Sequence, residues 1–428
     1  VITSPVFAGK TYGVYGLARS GLATVASLTA SGATTRNWDD GEAARVKSGL
    51  PLTNLHEIDL STLDALIVSP GVPHSAPLFV KAKAAGIPVI GDVEIFAQAR
   101  ATLPRAKVVG ITGTNGKSTT TALIHHMLKS AGRPTLMGGN IGLPILAQEP
   151  LPEGGVYVLE LSSYQLDIAE SLDCEVGVFL NLTPDHLDRH GTMAGYAAAK
   201  ARLFAMQSPG QTAVIDGKAE REYHILDVAE DPVIVFIEDV ALGNQADWPS
   251  LQGPHNRQNA AAAVAACAAL GLTLAEIAHG LATYPGLAHR MERIAEKHGV
   301  LWVNDSKATN PDSTAPALAA YPRTHWIAGG RPKLAADGGA GLEPLLPHLG
   351  NVLGAYLIGE AAPLFAGALK GHVPVTLSET LDRAVSDAAA AAKPGDTVLL
   401  SPACASFDQF RDFEHRGDVF RAAVEALT

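Results

Sequence analysis

Residues 107–121 read KVVGITGTNGKSTTT. An apolar run leads into a turn carrying Gly113, Thr114, Asn115 and Gly116, and Lys117, Ser118 and Thr119 then open a helix. Such a turn aims backbone N–H groups and the positive end of a helix at one point, which makes a cradle for phosphate. Lys117 adds a point charge, and the Ser118 hydroxyl is placed to ligate Mg²⁺. A nucleoside triphosphate is the ligand that this loop implies. The spacing departs from GxxxxGK(S/T), since Ile111 stands where the first glycine would fall and Gly110 comes one place early.

Other polar residues follow apolar runs in the same way. VYVLE ends in Glu160, and a carboxylate at the end of a strand beside a phosphate loop is where a Mg²⁺ ligand belongs. NLTPDHLDRHG at 181–191 offers Asp185, His186, Asp188 and His190; His186 is the candidate metal ligand and His190 reads as a loop residue. Asn256 and Asn259 open an alanine-rich helix, as caps or as adenine contacts. Further on, HRME, WVNDSKATNP, AGGRPK and SPACASFDQF each adjoin a strand-like run and could converge at one sheet edge. There Arg290 suits a phosphate, and Asp305 and Lys307 suit nucleotide contacts, whereas Cys404 reads as a buried thiol because no partner base is evident. Near the start, GLARSG at 16–21 follows a strand, with Asp39 and Asp40 about twenty residues on. It resembles a dinucleotide fingerprint, but Ala18 replaces the middle glycine and would crowd a pyrophosphate, which favours some other nucleotide over NAD(P). SPGVP at 69–73 is either a ligand-facing loop or an ordinary turn.

Strand-like and helix-like segments alternate from end to end, which predicts α/β architecture with mostly parallel sheets. Strands are predicted at 12–15, 65–68, 89–90, 108–112, 156–160, 176–182, 212–215, 233–236, 325–328, 353–358 and 396–400. Helices are predicted near 20–31, 75–85, 92–98 and 258–269. Residues 291–295 and 300–304, separated by Lys297, His298 and Gly299, predict a hairpin. The division is into three α/β domains: a Rossmann-like first domain at 1–98, a central phosphate-loop domain at 99–286 and a Rossmann-like last domain at 287–428, in keeping with roughly 150 residues per domain.

Across 428 residues the net charge is −11 with no long basic run, so nucleic acid is excluded as a main partner. Three distant cysteines, Cys174, Cys267 and Cys404, imply reduced thiols rather than a disulfide framework. The start, VITSPVFAGK, lacks a signal-peptide pattern, and no apolar run is long enough to span a bilayer. A soluble cytoplasmic enzyme with no membrane insertion is expected.

Together GTNGKSTT, LELSSYQL, NLTPDHLDRHG, GPHNRQNAAAA, GLAHRME, WVNDSKATNP and LLSPACASFDQF resemble the Mur ligases of peptidoglycan synthesis, in order and over nearly the whole chain. The terminal SPACASFDQFRDFEHRG is similar to that of the members that add D-glutamate to UDP-N-acetylmuramoyl-L-alanine. The resemblance implies ATP on residues 113–119, with Lys117 on the phosphates. It places Mg²⁺, as two ions, on Ser118, Glu160 and His186 and on Lys200 in a carbamylated form. Asn256 and Asn259 would approach the adenosine, Arg290 the γ-phosphate and Asp305 the ribose. Arg19, Ser20, Asp39, Ser69 and Gly71 would hold the uridine diphosphate, and Asn140 and His186 the muramoyl-alanine part. Lys307, Thr309, Lys333, Ser406, Phe407 and Phe413 would place the incoming glutamate. A monomer serving cell-wall biogenesis, cell shape and division is implied.

The expected chemistry is conversion of a carboxylate to an acyl phosphate by ATP, then attack by an amine through a tetrahedral intermediate. Other readings are a folylpolyglutamate synthase-like ligase, an L-glutamate-adding variant, a nucleotide-gated switch and a dehydrogenase. The nucleotide-type first domain and SPACASFDQF argue against the folate ligase.

Overall fold

The computed structural model describes residues 1–332 and 339–427, so the candidate Lys333 lies outside the described residues. Among the described residues, sixteen strands form three sheets. In the first sheet β1 (Thr11–Tyr15), β2 (Thr34–Trp38), β3 (Ala65–Val68) and β4 (Val89–Ile90) lie in the order β2-β1-β3-β4, all parallel. The second sheet contains β5 (Lys107–Thr112), β6 (Thr135–Gly139), β7 (Val156–Glu160), β8 (Val176–Phe179), β9 (Thr212–Ile215) and β10 (Val233–Phe236). Its order is β10-β9-β8-β5-β7-β6, again all parallel. The third runs from β11 (Glu292–Lys297) and β12 (Val300–Asn304) through β13 (Thr324–Gly329), β14 (Val352–Ile358), β15 (Val375–Glu379) and β16 (Thr397–Leu400). Its order is β11-β12-β16-β13-β14-β15, and only β11 pairs antiparallel, in the predicted hairpin.

Parallel strands need a crossover between neighbours, so helices cover both sheet faces and the central strands become apolar throughout. Every residue of β7 and β8 is buried, as are residues 108–112 of β5. In each sheet the strand order reverses beside one strand, and the loops leaving that point open a crevice at the carboxyl ends. Those points are β1 in the first sheet, β5 in the second and the β12–β16–β13 group in the third. The predicted strand 176–182 ends at Phe179, because Asn181 turns out of the sheet and bonds the phosphate loop.

The chain falls into two compact units, one of Val1–Leu242 with Gln258–Leu281 and one of Gly243–Arg257 with Ala282–Thr428. The first unit holds two sheets joined through the helix Asp92–Ala99. Its Phe96 packs edge-on against Tyr157 of β7, with ring centroids 5.0 Å apart. Its Glu94 accepts the N–H groups of Glu170 and Ser171 at 2.7 and 2.9 Å.

The second unit is built on the third sheet, and a guanidinium ties its loops together. Arg416, on the helix Phe413–Glu425, is fully buried. It donates to the Ser306 hydroxyl at 3.0 Å, the Ser306 carbonyl at 2.8 Å and the Cys404 carbonyl at 3.1 Å. Burial pushes its pKa down to about 10, which still leaves it charged at neutral pH. Arg416→Met keeps much of the volume and withdraws every donor, so a loss of about 2–4 kcal/mol in unfolding free energy is expected. Denaturant unfolding checks this, and a change within experimental error would remove Arg416 as the tie.

Candidate active site

The phosphate loop leaves β5 at Thr112 and enters the helix Lys117–Ser130. Gly113 has φ +145° and Gly116 φ +83°, conformations that side chains disfavour. Space imposes glycine as well: a Cβ on Gly116 would stand 2.1 Å from Asn259 Oδ1. Asn181 clamps the tip, accepting the Asn115 N–H at 2.9 Å and donating to the Asn115 carbonyl at 3.1 Å. Thr114 is held by the Thr183 N–H, which donates to its hydroxyl at 3.0 Å. Lys117 Nζ donates to the carbonyls of Gly113 at 3.0 Å and Thr114 at 2.8 Å. Ser118 is buried in the first turn, and Thr119 is half-buried beside it.

Lys200, on the helix Met193–Ala205, reaches the same place from the other side. Its side chain is 1% exposed, and Nζ donates to Gly113 O at 2.8 Å and Thr112 Oγ1 at 3.3 Å. Burial and then the nearby Lys117 push its pKa well below the lysine range, against the pull of Asp185 and Glu160. Nζ also stands 4.7 Å from the centre of the Tyr196 ring. Glu160 ends β7. Its Oε1 accepts Asn140 Nδ2 at 2.9 Å, while Oε2 is buried with no hydrogen-bond partner. Gly139 permits this approach, since a Cβ there would lie 2.2 Å from the Glu160 carbonyl. His186 holds a left-handed φ of +51° and shares a 2.9 Å hydrogen bond between Nδ1 and the Tyr164 hydroxyl. Gly113–Ser118, Asn140, Glu160, His186, Lys200 and Asn259 thus surround the carboxyl ends of β5, β7 and β8. Asn256 lies on the same helix as Asn259, Pro254–Ala269, and donates to Gln252 O at 3.0 Å.

The first sheet presents its own crevice after β1 and β3. Ser69 Oγ donates to Gly16 O at 3.2 Å, and Asp39 closes the β1 loop by accepting the N–H groups of Leu17 and Gly41 at 2.7 and 2.8 Å. Arg19 donates to Gly142 O at 2.5 Å; Ser20 is half-buried in the first turn of the helix Arg19–Ala30, and Gly71 is exposed.

In the second unit, Asp305 follows β12 and accepts Ser401 Oγ at 2.8 Å and the Met291 N–H at 3.1 Å. Burial raises its pKa to about 7, although Arg290 and Arg416 pull the other way. Lys307 Nζ lies 3.7 Å from the Phe413 ring centre, and the Phe413 carbonyl accepts Ser306 Oγ at 2.8 Å. Ser406 is buried, Thr309 half-buried and Phe407 exposed. Arg290 is flanked by His289 and Met291, both at positive φ, each costing roughly 1–3 kcal/mol of strain.

Residues 111–248 match the Mur ligase middle domain, 289–404 the Mur ligase glutamate ligase domain and 10–91 the N-terminal domain described as Mur ligase MurD-like. The chain belongs to the Mur ligase family. Among curated relatives it is 56% identical to UDP-N-acetylmuramoylalanine–D-glutamate ligase of Novosphingobium aromaticivorans, over 100% of this chain and 97% of the relative. The enzymes so named in Sphingopyxis alaskensis and Zymomonas mobilis are 55% and 50% identical, over 100% of both chains in each case. Its fold is similar to that of UDP-N-acetylmuramate-alanine ligase MurC of Thermotoga maritima, with TM-score 0.58 at 16% identity over 97% of this chain and 99% of the other. MurF ligase of the same organism, solved with ADP, gives TM-score 0.59 at 19% identity over 85% and 89%.

Several residues that hold these loops within their own units were not singled out from sequence. Asn181 and Arg416 sit within quoted motifs and Tyr196 just beyond one, but their types gave no role without the fold. His289 is similar: its Nδ1 meets Asn304 Nδ2 at 3.0 Å, and a Cβ on Gly417 would lie 2.1 Å from it.

The raised pKa of Asp305 makes stability depend on pH. The folded state keeps this proton between about 3.8 and about 7 while the unfolded state has lost it. The contribution is therefore full below the lower value and gone once pH rises through the upper one. Asp305→Asn should flatten that part of the pH–stability curve, measured by denaturant unfolding from pH 4 to 8. An unchanged slope would show that Asp305 ionises normally.

Proposed function

We propose that this Mur ligase adds D-glutamate to UDP-N-acetylmuramoyl-L-alanine, converting ATP to ADP and phosphate, as a peptidoglycan precursor enzyme. Identity of 50–56% over the whole chain to enzymes of that name carries the reading. The phosphate loop beside Glu160 supplies the chemical means. The assignment of work to residues 1–98, 99–286 and 287–428 is sugar nucleotide, ATP and glutamate respectively. Among the described residues no helix is long and apolar enough to cross a membrane. The enzyme is taken as a cytoplasmic monomer, as the family resemblance implies.

The central difficulty is electrostatic. An alanyl carboxylate must approach the γ-phosphate, and two unit charges at about 4 Å repel by roughly 4 kcal/mol at an effective dielectric near 20. Lys117 and the helix N-terminus behind Gly116 offset that repulsion, and Arg290 is assigned to the γ-phosphate. The residues fit Mg²⁺: the Ser118 hydroxyl and the unpartnered Glu160 Oε2 are hard oxygen donors, and His186 has its ring set by Tyr164. Two Mg²⁺ ions held by Ser118, Glu160, His186 and carbamylated Lys200 would neutralise phosphate charge. The carboxylate oxygen attacks the γ-phosphorus and ADP leaves. The glutamate amine then attacks the acyl carbon, loses a proton and expels phosphate. Asn256, Asn259 and Asp305 are assigned to the adenosine, and Arg19, Ser20, Asp39, Ser69 and Gly71 to the uridine diphosphate. Asn140 and His186 are assigned to the muramoyl-alanine, and Lys307, Thr309, Lys333, Ser406, Phe407 and Phe413 to glutamate.

A buried, depressed-pKa amine is the form of lysine that reacts with CO₂, forming an N–C bond and releasing a proton. Beside Lys117 the resulting carbamate exchanges a repulsion for an attraction. Enzyme stripped of bicarbonate should lose most of its activity and regain it on bicarbonate addition. Activity indifferent to bicarbonate would leave Lys200 an unmodified amine.

ADP release from pure protein, given the sugar nucleotide and each glutamate enantiomer separately, tests the whole reading. Turnover with D-glutamate only is expected, and Lys117→Ala should reduce it by at least about a thousandfold. ADP release with neither enantiomer would refute the assignment.

A further inference from the structure

Asp92 is the first residue of the helix Asp92–Ala99, and it is 3% exposed. Neither carboxyl oxygen completes a hydrogen bond of ordinary geometry. Its polar neighbours are Ser20 of the first domain, Gln165 of the central domain and the Val93 N–H. Burial outweighs them and moves its pKa up. A carboxyl in such a place opposes folding unless donors meet it. The helix gains its core contacts from Val93, Ile95 and Phe96, so packing does not require an acid here.

Two observations point to what the carboxyl does. It lines a small cavity with Ser20, Gly21, Thr24, Ser69 and Pro70, directly behind the loops that leave β1 and β3. Gln165 has its amide oxygen occupied by the Ser162 N–H at 3.1 Å and the Ser162 hydroxyl at 3.0 Å. Only its amide nitrogen is left to face Asp92, and a carboxylate is the acceptor that such a donor needs. Ser20 likewise offers a hydroxyl.

We propose that Asp92 is a positioning residue for the sugar nucleotide, tying Ser20 of the first domain to Gln165 of the central domain and so holding the Ser20 and Ser69 loops in place for the diphosphate. The inference rests on the reading above that those loops hold the uridine diphosphate. Asp92 touches no reacting atom and acts only through its two neighbours.

Steady-state kinetics with each substrate varied in turn tests it. Asp92→Ala should raise KM for the sugar nucleotide about tenfold, with KM for ATP and glutamate within about twofold. Asp92→Asn keeps one acceptor oxygen and should restore that KM to within about threefold of wild type. Gln165→Leu removes the partner amide and should reproduce the selective rise, which keeps the test open if Asp92→Ala does not fold. An unchanged sugar-nucleotide KM, an equal rise in all three KM values, or failure of Asn to restore would overturn the proposal. Wild-type protein inactive with the sugar nucleotide would instead refute the functional reading, and that result precedes any variant.

Discussion

The buried amine of Lys200 is the constraint on which the central site depends. Burying a cation is unfavourable unless polar groups surround it or it sheds its proton. Here the Thr112 hydroxyl and the Gly113 carbonyl meet it, and Lys117 bonds the same carbonyl. Two lysines converging on one oxygen fix which way the Gly113 peptide points. Gly113 itself adopts φ +145°, and a Cβ there would crowd Leu180 at 3.0 Å. The loop geometry, the end of β8 and the depressed amine are one arrangement seen from three sides.

The same topological device appears three times, each with a different way of holding its loops. After β1 the chain is closed by Asp39 accepting backbone N–H groups. After β5 it is closed by Asn181 and the lysines. Around β12, β13 and β16 the loops carry strain at His289, Met291 and Ala403, all at positive φ. Strain of that kind persists only where surrounding bonds over-determine it. The buried Arg416 supplies them beside Ala403, bonding the Ser306 and Cys404 segments at once, while Glu292 accepts the His289 N–H and Asp305 the Met291 N–H. The loop after β13 joins through paired bonds between Arg331 and Ala405, at 2.9 and 3.1 Å.

Legibility followed burial. Interior strands such as β5, β7 and β16 are continuous apolar runs, and they stand in the sequence within a residue of where the structure has them. The strands that sequence did not suggest are β2, β6 and β15, reading TTRNW, TLMGG and VTLSE. Each is a sheet edge with a mostly uncovered face, so no apolar pattern marks it. Around the phosphate loop, Lys117, Ser118, Glu160 and His186 were visible as polar residues following apolar runs. Arg416 and Asp92 were not, because a charged residue in a helix reads as solvated until the fold buries it. Lys200 escaped that fate only through resemblance to a family.

Net charge gives no guide to a site of this kind. The chain carries −11, yet the partners proposed for it are anions. Mobile ions screen exposed charges beyond about 8–10 Å, so the field at the loop is set by the few groups nearest it. Those are Lys117 and the helix N-terminus against Glu160 and Asp185, with the depressed amine of Lys200 among them. A triphosphate therefore meets a positive loop on one side and carboxylates on the other. A divalent cation held by Ser118 and Glu160 would reconcile the two, and the orphaned carboxylate oxygen next to a phosphate cradle fits that role.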